Sequence, residues 1–246
     1  MKCVILAAGA SRRLQPLTNK TPKCLLEIGG MTLLERTIRT IRDAGIRQFA
    51  IVTGFEEAKI RSLVRKRFPR LNVTFVHNRR FRATNNAYSL FLAREFVGDA
   101  PLLLSDSDIL FGAGLLDEMI ENPHKPNRIA VRVTGMHDEE EIRVKINRWD
   151  HVVEIGKHVP LRYTYGESIG IEAFSAPATR RIFEILEQRI AGGTGKTEYY
   201  EAAFQQAAHE GMRIWAIDVS RFPAIEIDTK DDLERAQSIA STLDHG

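Results

Sequence analysis

Cysteine is nearly missing from this chain of 246 residues: Cys3 and Cys24 are the two present, with no CxxC or Cys/His ligand spacing around them. That scarcity gives no zinc-site pattern and no disulfide framework, and it predicts buried, reduced thiols. Long apolar runs are missing too. No stretch approaches the roughly 18 residues that cross a bilayer, and the amino end lacks a basic-then-apolar leader pattern. A cytoplasmic protein without membrane insertion is the expectation. Charge of one sign is also lacking, because 35 Lys and Arg stand against 32 Asp and Glu for a net charge of +3. With the cations interspersed among acids and no DNA- or RNA-binding motif beside them, small anionic ligands explain the balance better than nucleic acid. Internal repeats, low-complexity tracts and linkers are absent, and 43% hydrophobic residues can bury a substantial core. The expected organisation is a single domain over 1–246.

What is present begins at residues 4–26, VILAAGASRRLQPLTNKTPKCLL. A short continuous apolar run of the buried parallel-strand kind leads into Ala7, Ala8, Gly9, Ala10 and Ser11, which carry almost no side-chain bulk. Backbone groups from Leu6 to Gly9 can therefore approach a phosphate or a base closely. Arg12, Arg13, Lys20 and Lys23 follow, a set of cations suited to a triphosphate. Pro16 and Pro22 stiffen the loop before the amphipathic pattern resumes at Leu33. An AAGA turn alone fits a tight strand-to-helix connection equally well; the string as a whole points to a nucleotide-binding loop.

Apolar runs at 4–7, 49–53, 73–77 and 101–105 alternate with helical patterns at 33–44, 56–68 and 86–95. This βαβ succession predicts a three-layer α/β fold around a mainly parallel sheet, with ligands at the carboxyl ends of the strands. Beyond Phe111 the rhythm changes. Strands are expected at 129–134, 143–146, 151–154, 168–174 and 212–218, the second and third as a hairpin, with helices at 178–191, at 197–210 and from Lys230. The chain thus divides into a half at 1–111 and another at 112–246. GGTGKT at 192–197 is not a P-loop, because Ile190 stands where the pattern needs its first glycine. It reads as a helix-to-helix loop.

Three further segments carry chemistry. In LLLSDSDILF, 102–111, an apolar strand ends in Asp106 and Asp108, well placed either to hold Mg²⁺ at the mouth of a sheet or to act as capping or solvated acids. In FPAIEIDTKDDLERA, 222–236, Asp228 follows an apolar strand and Thr229 can cap the helix that contains Asp231 and Asp232. In NRRFRATNNAYSL, 78–90, Asn85, Asn86, Tyr88 and Ser89 present amide, phenol and hydroxyl groups at the start of a helix, for reading a base or an acceptor, for capping, or for both.

LAAGASRRLQPLTNKTPKCLL resembles the signature LAAGxGxRLxPLTxxxPKxLL of the nucleotidyltransferases that activate sugar phosphates and related phospho-alcohols. It departs at Ala10 and Ser11, where many sugar-1-phosphate enzymes carry a second glycine followed by a small residue. The resemblance implies a Rossmann-like nucleotidyltransferase fold with a mainly parallel mixed sheet, and Mg²⁺ as cofactor. It implies that Arg13 contacts the triphosphate and that Lys23 bridges the α-phosphate and the acceptor phosphate. Asp108 and Asp228 would share the metal, with Asp106 as a neighbour or alternative ligand. The TNNxYSL stretch resembles that of phosphocholine-type cytidylyltransferases, which favours CTP as donor and a small phosphorylated or phosphonate acceptor. On that reading Leu6, Ala7, Ala8, Gly9, Asn85, Asn86, Ser89 and Asp106 bind nucleotide. Lys157, Glu167 and Tyr88 face the acceptor. Trp149, Tyr163, Tyr165 and Tyr199 are candidates for an aromatic box around choline, whereas Arg79, Arg80 and Arg82 would suit an acceptor of extra negative charge. A sugar-1-phosphate or inositol-phosphate nucleotidyltransferase and a non-catalytic nucleotide-sensing subunit are the alternatives, and a homodimer is left open.

Overall fold

The computed structural model describes residues 1–133 and 141–243, apart from the side chains of Arg12, Ser241 and Thr242. The strands are β1 (Lys2–Ala7), β2 (Glu27–Ile28), β3 (Met31–Thr32), β4 (Gln48–Thr53), β5 (Asn72–His77), β6 (Leu102–Asp106), β7 (Ile109–Phe111), β8 (Arg128–Arg132), β9 (Arg143–Ile146), β10 (Val152–Gly156), β11 (Gly166–Phe174), β12 (Trp215–Asp218) and β13 (Ala224–Glu226). The α-helices are α1 (Leu33–Asp43), α2 (Glu57–Arg67), α3 (Asn86–Leu92), α4 (Arg94–Val97), α5 (Ala113–Ile120), α6 (Ala176–Ala191), α7 (Glu201–His209) and α8 (Lys230–Leu243).

Nine strands form one mixed sheet. Its parallel part runs β6-β1-β4-β5, with Ile5 of β1 between Ile51 and Ser105. β11 then pairs antiparallel with β6, and carries β9 and β10 towards one edge and β8 and β12 towards another. β1 alternates across the sheet as a period of two requires. Val4 and Leu6 join the core beneath α3, α6 and α7, while Cys3 and Ile5 join the core beneath α1, α2 and α5. These two packed faces make the expected three-layer α/β architecture. Both cysteines are free and buried in the second of these cores. A smaller cluster of Leu14, Ile28, Leu110, Ile225 and Ile227 against Ala236 and Ala240 secures α8 and the β7–β13 ribbon.

Local chemistry accounts for several boundaries. Thr32 caps α1 by accepting from the Glu35 amide at 3.2 Å. Thr229 and Asp232 form a reciprocal capping pair at the start of α8, through hydrogen bonds of 2.8 and 3.2 Å. The hairpin expected around 148–150 joins β9 to β10. The expected helix at 86–95 divides at Ala93, and the one at 197–210 starts only at Glu201. Residues 192–197 form the anticipated connection between helices, and it is tied down: Asn85 donates through its backbone to the Lys196 carbonyl at 2.8 Å. Thr134, the expected end of the strand at β8, lies outside the described residues.

Candidate active site

A cleft of about 670 Å³ opens at the carboxyl ends of β1 and β6. Leu6, Ala7, Ala8 and Gly9 form one wall, as the small-residue turn predicts. The loop is held closely against its neighbours. The Ala8 carbonyl accepts from the Phe55 amide at 3.2 Å, and a Cβ on Gly54 would lie 2.7 Å from that same oxygen. Thr18 donates its hydroxyl to the Ser11 carbonyl at 2.6 Å, and Ser11 itself takes φ 43°. A short 3₁₀ turn at Lys23–Leu25 then carries Lys23 under the cleft, where it is 6% exposed.

Lys23 is the hub of the floor. Its Nζ lies 2.8 Å from Asp108 Oδ2 and 2.7 Å from Asp228 Oδ1, while Arg13 reaches Asp228 Oδ2 at 2.9 Å. The β7–β13 pairing, together with a bond from the Ile227 amide to the Asp108 carbonyl at 2.9 Å, sets the two acidic segments side by side. Glu226 joins them: one oxygen from each of Asp108, Glu226 and Asp228 lies within 4.8 Å of the others. Burial opposes the charge on Lys23, but Asp108 and Asp228 prevail and its pKa is pushed up to about 12. Burial likewise opposes charge on Asp228, and Lys23 with Arg13 holds it below the usual carboxylate range. Glu226 goes the other way. Burial, and then the neighbouring Asp108 and Asp228, push it up to about 8. Three hard oxygen donors this close together fit a divalent cation of the Mg²⁺ type.

Asp106 serves a different part of the floor. It accepts from the Tyr200 hydroxyl at 2.9 Å. A Cβ on Gly170, which has φ +73°, would lie 2.6 Å from its carboxylate. Burial, with Asp108 and Glu201 adding like charge, raises its pKa well above normal. Of the two aspartates in SDSD, Asp108 is the one grouped with Asp228 and Glu226. On the opposite wall Asn85 caps α3 by accepting from the Asn86 amide at 2.8 Å. Asn86 accepts from the Tyr200 amide at 2.9 Å, and Asn78 donates to Ser89 at 3.0 Å. All three expected residues line the cleft, and the capping reading holds together with the lining one.

A family model for the MobA-like NTP transferase domain matches residues 3–195. The chain belongs to this family. In agreement with the resemblance in the loop, this NTP transferase is 34% identical over 115 residues to a choline-phosphate cytidylyltransferase of Haemophilus influenzae, a match spanning 47% of each chain. It thus spans about half the length of that relative. Over 253 residues it is 25% identical to a 2-aminoethylphosphonate cytidylyltransferase of Lancefieldella rimae, covering 99% of this chain and 92% of the relative. An inositol-1-phosphate CTP transferase from T. maritima shares the fold with a TM-score of 0.83 at 21% identity, covering 100% of this chain and 96% of that one.

The residues expected to face an acceptor divide in where this NTP transferase places them. Lys157 and Glu167 line the cleft, but Glu167 is held by Arg132 Nη2 at 2.6 Å, across the β8–β11 pairing. Tyr88 is not among the cleft-lining residues, and its ring centroid lies 6.4 Å from that of Phe91. The reason is helical: within α3, Ser89 lies three residues after Asn86 and shares its face, whereas Tyr88 lies two residues after Asn86, on the side of Phe91. Arg79, Arg80 and Arg82 are exposed and do not line the cleft, and the Arg12 side chain lies outside the described residues. Glu226, Arg132, Glu201 and Tyr200 were not foreseen. Only Glu226 left a signal, since it lies two residues before Asp228 and so on the same side of an extended chain.

Proposed function

We propose that this chain is a Mg²⁺-dependent cytidylyltransferase, which moves CMP from CTP to a phosphate or phosphonate oxygen of a small acceptor and releases pyrophosphate. The observation that carries the reading is the convergence of Lys23, Arg13, Asp108, Glu226 and Asp228 beneath the small-residue loop. The acceptor oxygen attacks the α-phosphorus, the bond from that phosphorus to the β-phosphate oxygen breaks, and pyrophosphate leaves with the electron pair. A phosphate monoester is nucleophilic near neutral pH, so the chain's work is positioning and charge neutralisation. Arg13 faces the leaving pyrophosphate, and Lys23 bridges the reacting phosphates. Leu6 to Gly9 bring backbone close to the nucleotide. A divalent ion held by Asp108, Glu226 and Asp228 supplies Lewis-acid neutralisation of the triphosphate when bound.

Residues 1–111 supply the nucleotide half of one domain, and 112–246 the acceptor half, an assignment supported by β11 pairing directly with β6. The proposed site of action is the cytoplasm; among the described residues no helix is long and apolar enough to cross a membrane. The test is pyrophosphate release with Mg²⁺, crossing CTP, UTP, GTP, ATP and dTTP with small phospho- and phosphono-acceptors, inositol phosphate and sugar-1-phosphates. Turnover confined to CTP and a small acceptor supports the proposal. Turnover of UTP, GTP or dTTP with a sugar-1-phosphate, or none with any pair, overturns it.

A further inference from the structure

The cleft contains a buried acid that the transfer chemistry does not use. Glu201, at the first position of α7, lines the cleft, is 5% exposed, and has an Oε2 atom with no hydrogen-bond partner. Beside it the wall is acidic: Tyr200 donates to Asp106 at 2.9 Å and lies 3.5 Å from Glu172, whose own Oε2 is also buried and unpartnered. A buried carboxylate oxygen without a donor is costly, and one that faces a ligand cleft is completed by a ligand bearing N–H or O–H groups. Burial pushes the Glu201 carboxyl up to about 7, and Lys157, which also borders this part of the cleft, works against that rise.

A quaternary ammonium would need something else, because it has no N–H to give and is recognised by several aromatic faces. Among the described residues that cage is not assembled. Trp149 is 59% exposed, with Arg148 4.1 Å over its ring, and it lines a separate depression with His151, Arg213 and Trp215. Tyr163 is 51% exposed and is covered by Lys145 and Arg162. Tyr165 packs against the hydrophobic core. The aromatic rings lining the cleft are Phe81, which abuts Gly54 beside the nucleotide loop, and Tyr199, which has Lys157 Nζ 5.4 Å over its face.

We propose that Glu201 reads the tail of the acceptor, and that this tail ends in a primary ammonium rather than a trimethylammonium. The inference rests on the cytidylyl transfer proposed above. A site that hydrogen-bonds an amine rejects analogues without one far more strongly than it discriminates among apolar tails.

The test measures kcat/KM with CTP for phosphoethanolamine, 2-aminoethylphosphonate, 2-hydroxyethylphosphonate, phosphocholine and ethyl phosphate. The two amines should exceed the other three by at least about 100-fold. Glu201→Gln should raise KM for the amines while leaving that for ethyl phosphate unchanged, and Glu201→Asp should restore part of the preference. Far-UV circular dichroism and thermal unfolding of each variant establish that it is folded; if Glu201→Gln is not, the Glu201→Asp profile and the wild-type ranking decide. Phosphocholine turned over as well as the amines overturns the inference and leaves the transfer reaction standing, as does a hydroxyl tail equal to the amine. Silence with all acceptors overturns both.

Discussion

Replacing Lys23 by methionine removes the one buried cation that Asp108 and Asp228 share while keeping most of the side-chain volume. The lysine is nearly buried, and the two carboxylates are 27% and 25% exposed, so solvent screens the contacts only in part. Asp108 and Asp228 raise the pKa from a lysine's usual 10.5 to about 12 against the cost of burial. That rise corresponds to about 2 kcal/mol of folding free energy. The sign is that of a raised base: the contribution is complete below about 10.5 and is lost as pH rises through about 12, so at neutral pH all of it is present. Losing it should lower Tm by about 4–8 °C for a domain of this size. A second effect separates this ion pair from ordinary packing. Lys23 occupies the space between two of the three proposed metal ligands, so the variant should bind Mn²⁺ alone more tightly than the wild type and recover stability when it does. Differential scanning calorimetry with and without Mn²⁺, and Mn²⁺ titration followed by electron paramagnetic resonance, read both effects. An unchanged Tm together with unchanged Mn²⁺ affinity would refute the role given to Lys23.

Lys23→Met should also slow turnover by at least about 100-fold, the scale of losing one preorganised electrostatic contact; a steady-state pyrophosphate assay checks it. Asp108→Asn should abolish turnover and weaken Mn²⁺ binding while the far-UV circular dichroism spectrum stays unchanged. Gly170→Ala places a Cβ 2.6 Å from the Asp106 carboxylate at a φ of +73°, and should destabilise the fold by about 1–3 kcal/mol in chemical denaturation. Glu201 is pushed by burial from 4.5 up to about 7. Its contribution to stability is therefore intact below about 4.5 and is lost as pH rises through about 7, because the native state keeps a proton that the unfolded chain has released. Glu201→Gln should gain Tm relative to the wild type on going from about pH 5 to about pH 8.5, and parallel profiles would contradict the assignment.

What the sequence made legible was local. The strand, turn and cations from Val4 to Lys23 lie in one stretch, so their chemistry could be read before any fold was known, and the alternating periods of 49–105 were enough to lay out the parallel half of the sheet. Asp108 and Asp228 were identifiable through resemblance, whereas their union with Lys23 depends on the β7–β13 ribbon, whose three-residue strands are too short to show periodicity. Asp106, Glu172 and Tyr200 come together from β6, β11 and the turn before α7, and no spacing along the chain encodes that meeting. The Arg132–Glu167 pair arises from the β8–β11 register in the same way. Tyr88 shows the converse limit: a motif names its residues, but the helix decides which of them face the cleft.

In the proposed reaction an acceptor oxygen displaces pyrophosphate directly from the α-phosphorus of CTP. It is tested by incubating the protein with CTP, Mg²⁺ and 2-aminoethylphosphonate labelled with ¹⁸O at its phosphonate oxygens, and following ³¹P NMR. One unlabelled pyrophosphate should form for each new phosphoanhydride, with ¹⁸O in the bridge between the phosphonate and CMP. Label in the pyrophosphate, an unlabelled bridge, or exchange of pyrophosphate into CTP without any acceptor would contradict it.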